Sequence, residues 1–368
     1  MTTPILALLL ALLAAPSPAP IPAPFLAATP QEVVAPAQVT SAAVPTELFD
    51  VVYVVDGDTL HIQRNGEKQK LRLLSVDTEE KLSNRKNISP SKPETVFGQE
   101  TMLWAQEFFG NLASDDAPAQ VGLLFPDGKE ERDVYGRILC HVILPDGTDF
   151  NLELVRGGWS PYFNKYGNSR ICHEAFVEAQ RAAQAANLGI WNPATNRAAT
   201  PGTPSAERQY DRLLPWWQAR AEAIDTFRSW QSKAPRDVIA SEDADELEAA
   251  LARCQADPNL RVTVFATLEG RAWEEDRGGL TLLLRPGDSR NTQRAVRAFL
   301  SNAKARTAIN DAIGIESRGE DFVQNYFFLT GRIEAGPHGM LIQADDPAQW
   351  RLAGPELPSS PVEAAGTR

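Results

Sequence analysis

The chain has 368 residues, 43% of them hydrophobic, and a net charge of −12 at pH 7, which leaves room for two domains at roughly 100 to 200 residues each. So acidic a chain is not a coat that grips nucleic acid through bulk charge, because a polyanion is repelled by its own sign. Three cysteines, Cys140, Cys172 and Cys254, exclude a disulfide framework, and the four histidines, at 61, 141, 173 and 338, form no cluster with metal-ligand spacing.

In chain order, Ile5 to Ala15 is an apolar run of 11 residues, too short to cross a bilayer as a helix and followed by small residues that suit a peptidase. It predicts a signal peptide over 1–15, a secreted, periplasmic or cell-envelope destination, and no transmembrane span in the mature chain. Residues 16–45, rich in Pro and Ala, read as a linker. Leu48 to Val55, Thr59 to Arg64 and Gln69 to Val76 are short β-rich runs joined by turns that contain Gly or Asp, as a meander requires. The segment 81–92 carries Lys81, Arg85, Lys86 and Lys92 and no acid. It predicts a basic, substrate-binding flap, with a solvated insertion as the equal alternative. Gln99 to Leu112 is a helix candidate with Met102, Leu103, Phe108, Phe109 and Leu112 as its apolar positions. Gly122 to Phe125 and Arg137 to Leu144 complete five strands, and 150–156 and 171–187 read as two more helices. The expected fold is mixed α+β, a five-stranded OB-type β-barrel with helices.

Three segments of that barrel carry chemistry: Asp56-Gly57-Asp58-Thr59, Arg72 to Glu80, and Tyr135-Gly136-Arg137. Each alone has a bland reading, a tight turn for the first and an ion pair or solvent for either arginine. Together they describe a hard-cation site beside a phosphate clamp. Ca²⁺ takes carboxylate, carbonyl and water oxygens. Asp58 and Asp77 offer direct carboxylates, the Thr78 carbonyl offers a neutral oxygen, and Glu80 reaches the metal through water. No His or Cys lies in these segments, which argues against zinc. Arg72 and Arg137 have no negative partner expected within their motifs and suit a phosphodiester, because guanidinium forks match phosphate oxygens two at a time.

From about Phe49 to Trp191 the chain closely resembles the staphylococcal nuclease-like (thermonuclease) family, through those segments and through Gly157-Gly158-Trp159 and Leu188-Gly189-Ile190-Trp191. The resemblance implies the same OB-type barrel, calcium held by Asp58, Asp77 and Thr78, and catalytic roles for Arg72, Glu80 and Arg137. It also implies a nucleotide pocket lined by Tyr135 and Tyr166. The activity implied is an endonuclease that cuts DNA, RNA or both with little sequence preference. Glu80 would activate the attacking water, and the products would carry 3′ phosphates. The chain departs from the family pattern at three positions. Glu79 stands where proline is usual, and a charge there is expected to raise the Glu80 pKa or loosen the turn. Val134 replaces a lysine and Asn164 a tyrosine of the pocket, which is expected to weaken phosphate and base contacts. The competing function is a noncatalytic OB-type module that binds nucleic acid or protein, but such domains usually lose the arginines and the base that this chain keeps. Residues 49–191 hold 15 Lys plus Arg against 21 Asp plus Glu, so substrate binding is expected to be weak and metal-dependent.

Asn192 to Ser205, with Pro193, Pro201, Gly202 and Pro204, reads as a second linker. It separates a nuclease-like domain at 46–192 from an accessory α+β domain at 206–368. A helix from about Ala206 to Gln231 carries Trp216, Trp217, Phe227 and Trp230, which read as core, and acid-rich Ser241 to Gln255 is another helix. Strands follow at Arg261 to Leu268 and Leu280 to Arg285, then a helical region near Thr292 to Ile313, then strands at Tyr326 to Glu334 and Met340 to Ala344. This order suits a second OB-like barrel. Thr330 to Ile333 and His338 to Ile342 weakly resemble the closing hairpin of nucleic-acid-binding OB domains. That resemblance implies a tail that holds single strands for the nuclease domain; the other reading is a module that docks on a protein or cell surface.

Overall fold

The structure, a computed structural model, describes residues 44–83, 92–114, 116–196, 207–274, 278–285, 294–313 and 326–352. The predicted signal peptide, the flap positions Arg85 and Lys86, and most of both predicted linkers lie outside these residues. All described residues belong to one of the chain's two units, Ser41–Arg368. No helix among them is long and apolar enough to cross a membrane.

Strands β1 (Phe49–Asp56), β2 (Thr59–Arg64) and β3 (Glu67–Leu73) form the expected antiparallel meander. β3 then pairs in parallel with β6 (Ile138–Ile143), β6 pairs with β4 (Gln120–Leu124), and β4 pairs with β1. The circuit is therefore a closed five-stranded barrel, with helix α1 (Val96–Leu112) inserted between β3 and β4. A two-residue strand, β5 (Glu131–Arg132), lies on β6. Alternation puts Leu60, Ile62, Leu71, Leu73, Ile138, Cys140 and Val142 inside, all fully buried. Helices α2 (Phe150–Arg156) and α3 (His173–Ala185) pack on this core through Phe150, Leu154 and Phe176.

Helix α1 begins earlier than the sequence suggests. The Thr95 hydroxyl accepts from Gly98 N at 2.9 Å and caps the first turn. Its buried stripe is Phe97, Thr101, Ala105 and Phe109, a four-residue spacing that leaves Leu103 and Leu112 exposed. All three cysteines are free. His141, Asp149 and Cys172, far from ligand spacing in sequence, bring potential ligand atoms within 4.8 Å of one another. Asp149 is committed there, with Oδ1 accepting from Asn151 N at the start of α2 and Oδ2 2.6 Å from His141 Nδ1.

Beyond the barrel, α4 (Tyr210–Lys233) leads to β7 (Val238–Ala240), α5 (Ala244–Ala256), β8 (Val262–Ala266), β9 (Gly270–Glu274), β10 (Gly279–Arg285), β11 (Val296–Leu300), α6 (Ala303–Ile313), β12 (Phe327–Gly331), β13 (Ile333–Gly336), β14 (Gly339–Gln343) and β15 (Trp350–Leu352). Two sheets result, β13-β14-β11-β10-β9 and β15-β12-β8-β7. β12 and β13 are separated by Arg332 alone, and β8 and β9 by Thr267 to Glu269, so each pair runs as one bent strand shared by both sheets. Pairing then closes a circuit of five segments: β8/β9, β10, β11, β14, and β13/β12 back to β8. The third and fifth segments, β11 and β14, are parallel, and α6 enters between the third and fourth. These are the connections of the first barrel, so the predicted second OB-like barrel is present. One buried cluster, including Val264, Leu282, Ala298, Leu329 and Ile342, fills it.

One expectation needs correction. Thr292 to Ile313 is not helical throughout: Val296–Leu300 is a strand held between β10 and β14, where pairing on both edges overrides the helix propensity of its Ala, Leu and Arg. The expected Tyr326 to Glu334 strand is present with a bend at Arg332, where the chain passes from one sheet to the other.

Candidate active site

The β1–β2 turn and the segment after β3 meet at one end of the first barrel. Register places Thr59 opposite Arg72, so Asp58 emerges beside the arginine. The Arg72 guanidinium spans two carboxylates: Nη1 pairs with Asp58 Oδ1, and Nη2 lies 2.8 Å from Asp77 Oδ1. The Asp58 carboxylate also accepts from Thr78 N at 2.9 Å through Oδ2, which locks the turn to the 77–80 segment. Glu80 is held through its backbone. Its carbonyl accepts from Thr95 N at 3.0 Å, and helix α1 passes so close that a Cβ on Gly98 would stand 2.2 Å from that carbonyl oxygen. Only glycine fits there. The Glu80 side chain, 37% exposed, is 2.9 Å from Lys92 Nζ, and the same ammonium is 2.9 Å from Asp77 Oδ1. Arg137 lines the cleft that Arg72 and Asp77 also line.

Electrostatics follow from this crowding. Burial, and after it the charges of Asp58 and Glu80, push the Asp56 carboxyl up to about 7. Burial also works against ionisation of Asp77, yet Lys92, Arg208 and Arg72 outweigh it and hold that carboxyl well below the ordinary range. Asp58 is lowered in the same manner, with Arg72 and Lys92 overcoming its burial. The donor set is all oxygen, from carboxylates too dense to coexist without positive charge, and this chemistry fits a hard cation such as Ca²⁺ held by Asp58, Asp77 and Thr78. Arg72, Lys92 and Arg208 supply that charge in the structure.

These shifts fix the acid response. Asp58 and Asp77 titrate below their ordinary 3.8 when folded, so their stabilisation is complete above that value and is lost as pH falls further. Asp56 has the opposite sign: its stabilisation is present at low pH and is lost as pH rises through about 7. In chelator, denaturation midpoints are expected to rise slightly from pH 7 to about 5 and to fall steeply below about 4. Asp77→Asn should flatten the acid limb. A monotonic rise from pH 5 to 3 would show these carboxylates to be unpaired.

Several sequence expectations change. Both arginines have carboxylate partners. Arg137 Nε lies 2.7 Å from Asp133 Oδ2, four residues back, where the turn at Gly136 folds the motif on itself. Tyr135 and Tyr166, 79% and 66% exposed, both line the same cleft. Lys81 is turned away, donating to the Val55 carbonyl at 2.5 Å; Lys92 takes its place at the carboxylates. Glu79 is turned into the protein. It is 2% exposed and accepts from Thr95 Oγ1, Asn196 Nδ2 and Tyr210 Oη. Asn164 is likewise buried, donating to Asn168 Oδ1 and to Gln218 Oε1 at 3.0 Å each. Two departures from the family pattern are therefore sockets for α4 and the residues before it. Arg208 in that segment reaches the site itself, with Nη2 2.5 Å from Asp77 Oδ2. No local motif around Arg208 announces this, because its partner lies 131 residues earlier.

The family described as staphylococcal nuclease homologue matches residues 70–193. The thermonuclease of Staphylococcus intermedius is 31% identical over 161 residues, spanning 42% of this chain and 83% of its own. The uncharacterized protein MJ1439 of Methanocaldococcus jannaschii is 30% identical over 159 residues, which is 40% of this chain and 72% of that protein. The endonuclease YhcR of Bacillus subtilis is 33% identical over 141 residues, 38% of this chain but 11% of YhcR. Helix α4 and the second barrel lie beyond the family match.

Proposed function

The chain belongs to the staphylococcal nuclease family, and from that premise we propose that it is a calcium-dependent endonuclease hydrolysing phosphodiester bonds of DNA, RNA or both, with little sequence preference and 3′-phosphate products. The observation that carries this reading is the gathering of Asp58, Arg72, Asp77 and Glu80 at one barrel end, with Arg137 on the same cleft as Arg72.

Each residue then has a task. Glu80, partly exposed and steered by Lys92, takes the proton of the attacking water. The new P–O bond forms as the P–O5′ bond breaks and O5′ takes a proton from solvent water, leaving phosphate on the 3′ side and a hydroxyl on the 5′ side. Arg72 and Arg137 direct donors at the phosphoryl oxygens as charge accumulates there. Asp58, Asp77 and the Thr78 carbonyl would hold Ca²⁺, which when bound supplies Lewis-acid charge against those oxygens. Tyr135 and Tyr166 offer ring faces that any base can meet, which accounts for low sequence preference.

The test is digestion of single-stranded DNA, duplex DNA and RNA by the purified protein, with the fragment ends identified. Ends with 3′ phosphate and 5′ hydroxyl are expected. Ends of the opposite polarity, or binding without any cleavage, would replace this reading, the second outcome by the noncatalytic one.

A further inference from the structure

Helix α4 lies outside the residues that carry the family match, yet it forms one wall of the cleft leading to Asp77. Polar contacts with the 164–168 loop fasten it there. Asn168 Nδ2 donates to Asp225 Oδ2 at 2.7 Å, Asn164 Nδ2 to Gln218 Oε1 at 3.0 Å, and Arg220 Nε to the Lys165 carbonyl at 3.3 Å. Behind them Phe163 meets Trp217 edge to face, ring centroids 4.8 Å apart.

The charge of this cleft, about 720 Å³ in volume, opposes that of the chain. Eight of its lining residues are Lys or Arg and three are Asp or Glu, in a protein of net charge −12. Charge complementarity of this kind selects a polyanion. The cations on the α4 side are held in place. Lys165 Nζ sits 4.6 Å from the centroid of the Trp216 ring. Arg228, on α4, pairs with Asp225 at 3.0 Å and lies against Gly167, where a Cβ would stand 2.7 Å from the guanidinium and φ is +107°. Arg170 pairs with Asp127 beside the same wall.

We propose that the α4 wall is a binding subsite for single-stranded nucleic acid, in which Lys165, Arg170 and Arg228 take backbone phosphates beyond the scissile bond while Tyr166 stacks a base. This deepens the nuclease reading to a substrate class and rests on it for the position of the scissile bond. The strand must be single because the exposed Tyr166 ring needs a free base face, and bases within a duplex already stack on one another. The two family departures at Glu79 and Asn164 fit the same purpose, since both hold the segment that builds this wall.

The experiment compares the full chain with Lys165→Gln, Arg228→Gln and the double variant. Binding of a fluorescein-labelled oligothymidylate of roughly twelve nucleotides, within the span of one barrel, is followed by anisotropy in EGTA. Cleavage of a dinucleotide, too short to reach the wall, is followed in Ca²⁺. The double variant is expected to bind the long strand ~10-fold more weakly, with the salt slope reduced by roughly 0.7 for each contact removed, and to cut the dinucleotide at the parental rate. Tyr166→Ala, altering an exposed ring, should weaken long-strand binding on its own. Unchanged binding in both the double variant and Tyr166→Ala overturns the proposal, as does a duplex of equal length bound as tightly and with the same dependence on both cations. If the parent binds the strand through Lys165 and Arg228 but cuts nothing, the subsite stands and the nuclease reading falls.

Discussion

Arg72→Ala is expected to lower cleavage by ~10²-fold or more, because it removes a donor aimed at developing phosphoryl charge, and to destabilise the fold by about 3 kcal/mol. Both losses have one origin. Arg72, its side chain 15% exposed, is held between Asp58 and Asp77, and its removal leaves Asp58 with no other ion-pair partner among the described residues, while Asp77 keeps Lys92 and Arg208. The second partner set is why the lower end of the range for a broken buried pair applies. Glu80→Gln makes the useful contrast. It should lose a comparable factor in rate, since a general base is worth ~10² or more, but its side chain is partly exposed, so its denaturation midpoint should stay near the parent's. Rates and urea midpoints measured on both variants separate the roles. Parental rates in both would move the active site elsewhere.

Trp217→Ala should have the largest effect on stability. The residue is 1% exposed, packs edge to face on Phe163, and carries the Arg208 guanidinium 5.3 Å from its ring centroid. Deleting a buried indole costs about 3–5 kcal/mol, and here the cavity opens between α4 and the nuclease barrel. The expected result is a lower urea midpoint together with a weaker acid limb, because Arg208 loses the surface that presents it to Asp77. A midpoint within the error of the parent's would show that α4 is not seated on Phe163.

The first barrel and most of its candidate site are legible because their signals are local. Alternating runs, Gly- and Asp-containing turns and three short motifs place Asp58, Arg72, Asp77 and Arg137 without any distant information. What the sequence hides is long-range. Glu79 and Asn164 look like defects in a family pattern until their partners Tyr210 and Gln218, 131 and 54 residues downstream, stand beside them. Arg208 is invisible for the same reason. Strand β11 reads as helix because its residues tolerate either state and only pairing with β10 and β14 decides. Net charge misleads in a different way: it averages over the whole chain, whereas the cleft lining holds eight Lys or Arg against three Asp or Glu.

The decisive measurement is the rate at which the purified protein cuts a single-stranded oligonucleotide as free Ca²⁺ is raised from zero, run beside Asp77→Asn. A geometry in which Asp58, Asp77 and Thr78 hold the cation beside Glu80 and Arg72 predicts no cleavage in EGTA, a saturable rise with Ca²⁺, and a large loss of that rise in Asp77→Asn. Cleavage that persists in EGTA, or that Asp77→Asn leaves unchanged, would contradict it.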